Sequence, residues 1–265
     1  MKKAVTAVID DSERDEARDP LCNVLGIDCF TGDLIQAGDV VIQRALSGEG
    51  GYAVLCNAHV LMTARTEPDL FSALRGAWSV FPDGAPVAWL QRRLGSQCAK
   101  RIGGPDLMST VVDRGRRHGL RHALFGSTPY VVDRLERRFL SRFPGAEIVA
   151  AVAPPIGQQD DASLMVGIAR TRPHLVWCAL GAPKQELWMA QSSALLEPSL
   201  VIGVGAAFDF HAGTKKRAPV WMQRSGLEWF HRLASEPRRL LSRYLKTNTA
   251  FVVHAVDEIL RKRIA

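Results

Sequence analysis

At 265 residues, 47% apolar and 23% charged, the chain has the means to bury a sizeable core and is not disordered, collagenous or low in complexity. Its net charge of +7 is unevenly placed: residues 215–265 hold twelve Lys or Arg against four acids, while residues 1–214 are almost neutral. No charge-free run reaches the roughly eighteen apolar residues of a membrane span, the longest being the 15 residues from Gly50 to Ala64, so an integral membrane protein is not expected.

Residues 10–19 carry six acids and two arginines with almost nothing apolar, which predicts a flexible leader over residues 1–20. Met1-Lys2-Lys3 is followed by only a short apolar stretch before Asp10-Asp11-Ser12-Glu13, unlike a secretory signal, and a cytoplasmic protein is expected. From Leu21 onward, segments of helical period alternate with apolar runs of strand length. In chain order they are a helix near Gly38–Ser47, a strand at Tyr52–Cys56, and helices near Pro68–Ala77, Pro86–Gly95 and Pro105–Gly119. A strand at Arg121–Phe125, a helix at Pro129–Phe143 and a strand at Glu147–Val152 come next. A helix at Asp160–Thr171, a strand at His174–Leu180, a helix at Lys184–Leu195 and a strand at Leu200–Val204 complete the series. Several of these helices open with Pro, whose missing N–H costs nothing in the first turn. The alternation predicts an α/β fold over residues 21–214, a Rossmann-like parallel sheet with helices on both faces.

After about Ala212 the pattern is helical without a further strand, over Ala218–Ala234 and Pro237–Leu260. Residues 215–265 therefore read as a basic helical C-terminal appendage. Arg239, Arg243 and Lys246 share one face of its second helix, and Leu240, Tyr244 and Phe251 lie on another.

Four segments concentrate glycine and polar residues at strand ends, where open parallel sheets bind ligands. Phe81-Pro82-Asp83-Gly84-Ala85-Pro86 puts a carboxylate on a turn before a helix; it is a turn signal, or Asp83 is a general base. Lys100-Arg101-Ile102-Gly103-Gly104-Pro105-Asp106-Leu107 is a paired-glycine loop with two cations, suited to anions but not a Walker A loop. Gly181-Ala182-Pro183-Lys184-Gln185-Glu186-Leu187-Trp188 sets three hydrogen-bonding side chains in a first helical turn, where Glu186 could simply cap the helix. Gly203-Val204-Gly205-Ala206-Ala207-Phe208-Asp209 is an incomplete dinucleotide fingerprint, better matched to a mononucleotide that Asp209 could contact.

The remaining candidates are weaker. His118 and His122 are four apart without supporting ligands and read as solvated surface histidines, and the five scattered cysteines read as reduced, mostly buried residues. No metal site, G-x-S-x-G or H-E-x-x-H is present in the sequence.

Those four segments, in that order, precede Arg217-Ala218-Pro219, Gly226-Leu227-Glu228-Trp229-Phe230-His231-Arg232-Leu233 and Glu236-Pro237-Arg238-Arg239. Together they resemble the WecG/TagA/CpsF glycosyltransferase family over roughly Leu21 to Tyr244, most specifically at Gly181–Trp188 and Gly203–Gly213. The resemblance implies an inverting enzyme that needs no bound metal or other cofactor. It would move one sugar from a nucleotide-sugar, usually a UDP-sugar, to a polyprenyl-diphosphate-linked saccharide in bacterial surface-polysaccharide synthesis. It further implies an enzyme held peripherally at the inner face of the cytoplasmic membrane, with an appendage that docks on the membrane and completes the active site.

Carried over by position, Asp83 matches the carboxylate proposed as base, Asn57 the asparagine of a Thr-x-Asn segment, and Arg101 the arginine before a glycine-Asp-Leu motif. The donor side comprises Gln185, Gly181, Gly203, Gly205, Asp209 and Asp106. Arg217, Arg224, Arg232, Arg238 and Arg239 are expected at the diphosphates or the anionic leaflet. The chain departs from the pattern where Leu55 replaces the threonine and where Ala153-Pro154-Pro155-Ile156-Gly157 replaces an aromatic segment. Two other readings stand beside this one. A nucleic-acid binder would use the same cations, but Trp221, Trp229, Phe230 and Tyr244 fall at the helical spacing of packing residues. A nicotinamide oxidoreductase would need the complete fingerprint. Nucleic acid is therefore not an expected partner, and the apolar faces of the body leave room for a homo-oligomer.

Overall fold

The computed structural model describes residues 21–235 and 237–264; the leader expected over residues 1–20 lies outside the described residues. The chain opens with an antiparallel hairpin, β1 (Leu21–Val24) and β2 (Ile27–Phe30). Its two-residue turn, Leu25-Gly26, has left-handed backbone at both positions (φ 54° and 88°) and is tied by Gly26 N–H donating to Asn23 Oδ1. Helix α1 (Leu34–Ser47) begins four residues before the expected Gly38, because Asp33 and Gln36 form a reciprocal capping box.

The body continues as β3 (Tyr52–Cys56), α2 (Ala58–Ala64), α3 (Pro68–Arg75), β4 (Ser79–Pro82), α4 (Ala85–Arg93), α5 (Gly104–Gly115), β5 (Arg121–Gly126) and α6 (Pro129–Arg142). Then come β6 (Glu147–Val152), α7 (Ala162–Arg170), β7 (Leu175–Ala179), α8 (Lys184–Ser192), β8 (Leu200–Gly203) and α9 (Ala207–Ala212). Strands β3 to β8 form one six-stranded sheet in the order β4-β3-β8-β7-β5-β6, with every pairing parallel. Each βα crossover places a helix on a face, so both faces are covered and the central strands are buried along their whole length. Along β3, Tyr52, Val54 and Cys56 pack into one core and Ala53 and Leu55 into the other. The Rossmann-like α/β body expected from the alternation is present.

The C-terminal segment is helical, as α10 (Val220–Arg224), α11 (Glu228–Ser235) and α12 (Pro237–Ile264). The single helix expected over Ala218–Ala234 is split at Gly226. Helix α12 returns to the body: Phe251 and Ala255 are buried in the core beside α2, and Glu258 accepts the Leu25 N–H at 3.0 Å. Among the described residues no helix is long and apolar enough to cross a membrane.

Two expectations need correction. His122 is not on the surface: it is buried at 1% exposure, stacked on Trp177, and accepts from its indole N–H. Trp221, Trp229 and Phe230 are not packing residues, since each keeps two-fifths or more of its surface exposed. Glu186 stands in the first turn of α8, as the capping reading requires, and is fully buried there. The cysteines are as expected, free and buried except Cys98.

Candidate active site

The carboxyl ends of five parallel strands open into one cavity of about 440 Å³, closed on another side by the C-terminal helices. Its walls carry Asn57 after β3, Asp83 after β4, Ser127 after β5, Gly181 after β7 and Gly205 after β8, with Glu228, Trp229 and Asn248 from the appendage.

Asn57 is held by its own helix: its Oδ1 accepts from the His59 and Val60 N–H groups, which leaves the amide N–H₂ as the group it offers the cavity. Asp83 follows β4, and its N–H donates to Cys56 O at 2.8 Å, so the ends of the two strands are locked side by side. Ile102 N–H donates to Pro82 O in the same manner, which carries Arg101 to the same edge. Arg101 Nε lies 3.8 Å from Asp83 Oδ1, an ionic contact rather than a hydrogen bond. Leu55 lines the cavity, and its Cδ1 sits 3.0 Å from where a Cβ on Gly104 would stand.

On the opposite side, Gln185 lies against the glycine loop after β8. A Cβ on Gly203 would stand 3.0 Å from Gln185 Nε2 and 2.8 Å from Met189 Cε, so a side chain at this position would displace the ends of both. Gln185 Nε2 donates to Glu186 Oε1 at 2.9 Å. Burial pushes the Glu186 carboxyl above its ordinary range, and that hydrogen bond opposes the shift. Asp209 lines the cavity with its Oδ1 accepting from the Thr214 hydroxyl, and the adjacent Lys215 also reaches the wall.

The appendage meets this edge through charge. Arg101 donates to Glu228 Oε2, and Arg217 Nε lies 3.6 Å from Glu228 Oε1. Arg217 also makes a two-pronged pair with Asp106 at 2.6 and 2.5 Å. Burial opposes the Arg217 charge, but its acidic partners outweigh burial and raise its pKa. An Asp83–Arg101–Glu228–Arg217–Asp106 chain results.

Of the residues singled out in the sequence, the fold gathers Asp83, Asn57, Arg101, Gln185, Gly181, Gly203, Gly205 and Asp209 around the one cavity. Asp106 and Arg217 do not line it; they stand behind Glu228 as each other's partners. Arg224 and Arg232 belong to α10 and α11, and Arg238 and Arg239 to the first turn of α12; their side chains lie outside the described residues. Sequence reasoning missed Glu228, although it is the sole acid between Lys215 and Ser235, a signal that was available. It also missed Ser127, whose backbone is left-handed (φ 59°) at the cavity wall, a strain that no sequence pattern announces. Among the described residues no group of three or more His, Cys, Asp or Glu stands together as a metal-ligand set.

The sequence matches the family model described as "Glycosyl transferase WecG/TagA/CpsF family" over residues 22–265. Two relatives carry the name N-acetylglucosaminyldiphosphoundecaprenol N-acetyl-beta-D-mannosaminyltransferase. The one from Bacillus subtilis (strain 168) is 31% identical over 189 residues, covering 70% of this chain and 73% of its own length. That from Bacillus spizizenii (strain ATCC 23059 / NRRL B-14472 / W23) is 30% identical over 197 residues, covering 73% and 76%.

Proposed function

The chain belongs to the WecG/TagA/CpsF family of glycosyl transferases and is a glycosyltransferase, and from that premise we propose that it moves one sugar from a UDP-sugar to a polyprenyl-diphosphate-linked saccharide, with inversion at the anomeric carbon. The observation that carries the reading is the convergence of Asp83, Arg101, Lys215 and the loops at Gly181 and Gly203–Gly205 on one cavity at the sheet's carboxyl edge.

A direct displacement needs a base on the acceptor hydroxyl and a counter-charge for the departing diphosphate. Asp83 is the base: it removes the acceptor proton as the oxygen attacks the anomeric carbon and the bond to the nucleotide diphosphate breaks. Arg101, 3.8 Å away, orients that carboxylate, with Asn57 donating to the acceptor. The glycine loop after β8 admits the donor, Asp209 contacts its nucleoside, and Lys215 meets the leaving diphosphate. The names of the two Bacillus relatives support a lipid-diphosphate acceptor and an N-acetylhexosamine as the sugar moved.

The appendage holds the enzyme at an anionic membrane, with Trp221 and Phe230 entering the headgroup layer and the excess Lys and Arg adding about 1 kcal/mol each near the surface. The test of the activity is to incubate the full chain with a panel of UDP-sugars and a short-chain polyprenyl diphosphate N-acetylglucosamine. A disaccharide-lipid product with inverted linkage is expected. Absence of product with every UDP-sugar overturns the reading.

A further inference from the structure

Behind the cavity wall, against the lining residue Gln185, lies a carboxyl side chain that the chemistry above leaves unused. Glu186 is wholly buried and does not reach the cavity; Gln185, its neighbour, does, and is itself 4% exposed. Gln185 Nε2 donates to Glu186 Oε1, and Gln185 Oε1 is buried without a hydrogen-bond partner. That oxygen lies on the side of Gly205, 3.5 Å from where a Cβ on that cavity-lining glycine would stand, against 3.9 Å for Nε2.

A primary amide has two unlike poles, and either one could face a ligand if nothing held the group. The Glu186 oxygen that faces Gln185 accepts from the N–H₂ pole at 2.9 Å, which holds that pole against Glu186 and turns the carbonyl the other way. Leaving a buried carbonyl oxygen unpaired is costly, which makes it a ready partner for a donor group that arrives with a ligand.

We propose that Glu186 is a positioning residue that fixes the Gln185 amide with Oε1 presented to the cavity, where it accepts from an N–H or O–H of the nucleotide-sugar. This rests on the nucleotide-sugar reading of the site. The complementary group is an acetamido N–H or hydroxyl of the sugar, or the imide N–H of the base. A sugar or base lacking a donor at that point is discriminated against, because it leaves the buried oxygen unpaired.

The experiment compares Glu186→Gln, which keeps an acceptor oxygen at that position, with Glu186→Leu, which does not. For Glu186→Leu the donor KM is expected to rise about tenfold with little change in kcat, while Glu186→Gln stays close to the parent enzyme. Binding of UDP alone and of UDP-N-acetylhexosamine, measured by calorimetry, locates the group: loss with both points to the base, and loss with only the second points to the sugar. Donor KM unchanged in Glu186→Leu, or Glu186→Gln failing as badly as Glu186→Leu, overturns the proposal. A readout independent of activity is the side-chain N–H₂ resonance of Gln185 in the unsubstituted protein, identified by its loss in Gln185→Leu. Slow hydrogen exchange is expected there, and exchange as fast as in exposed glutamines overturns the proposal even if the Leu variant does not fold. Absence of transfer from any nucleotide-sugar would instead count against the proposed activity, leaving the amide measurement to stand on its own.

Discussion

Arg101 and Glu228, 127 residues apart in sequence, are hydrogen-bonded at 2.5 Å, and this contact joins the sheet-edge loop that carries the arginine to helix α11. Both side chains are largely buried, at 21% and 12% exposure, and Glu228 also faces Arg217. Glu228 therefore stands between two guanidinium groups at the seam between body and appendage, each of which also faces a carboxylate of the body, Asp83 or Asp106. Glu228→Gln is expected to lower stability by about 2 kcal/mol, a charge-assisted bond's worth, and to lower transfer by more than tenfold as Arg101 loses its anchor. Calorimetric unfolding and steady-state kinetics check it; an unchanged turnover would show that the seam plays no part in the chemistry.

Gly203→Ala tests the fit of Gln185 against the glycine loop. The added methyl would meet Met189 Cε at 2.8 Å and Gln185 Nε2 at 3.0 Å, both ends of flexible side chains that can move aside. Stability is therefore expected to fall only modestly, by about 1 kcal/mol, while donor KM rises as Gln185 is displaced. A normal KM would mean that Gln185 is not held against the donor.

The buried His122 and the half-buried His211 set an acid limit. Burial pushes His122 down to about 3 and His211 down to about 4, so both are neutral in the folded protein. The unfolded chain takes up those protons near pH 6.5. Their contribution is complete above that pH and is lost as pH falls toward 4, by about 1.4 kcal/mol per pH unit for each group. His122→Phe is expected to lose the bond from Trp177 yet to show a shallower decline between pH 6 and 4 in denaturant titrations. An equally steep decline would contradict the account.

Docking on a membrane is expected to depend on apolar side chains as well as charge. Trp221 and Phe230 are 62% and 54% exposed, and replacing both with Ser is expected to reduce co-sedimentation with phosphatidylglycerol vesicles severalfold while leaving the fold intact. The remaining charge-driven binding should then vanish at high salt. Undiminished sedimentation of the double variant would remove these aromatics from the membrane contact.

The body of the fold was legible because its strands are short apolar runs bounded by turn residues, as at Tyr52–Cys56 and Leu175–Ala179. The β1–β2 hairpin was not, since its turn is Leu25-Gly26 and lacks the Asn-Gly or Asp-Gly pair that marks such turns. Strand β4 was overlooked because four residues, one of them Pro82, carry too little pattern. In the site, Asp83, Gln185 and Gly203 were visible as polar or glycine residues at strand ends. The burial of Glu186 and the pairing of Glu228 with Arg101 were not, because both depend on contacts between distant segments. His122 misled for the same reason: its partner Trp177 stands on a neighbouring strand.

The most direct test of the central claim is the rate of sugar transfer by Asp83→Asn against the parent enzyme, with both shown folded by their unfolding curves and both saturated with UDP-sugar. Removing a general base is expected to reduce turnover by about a hundredfold or more with donor affinity preserved. Full turnover in Asp83→Asn would contradict the assignment of the base and the mechanism built on it.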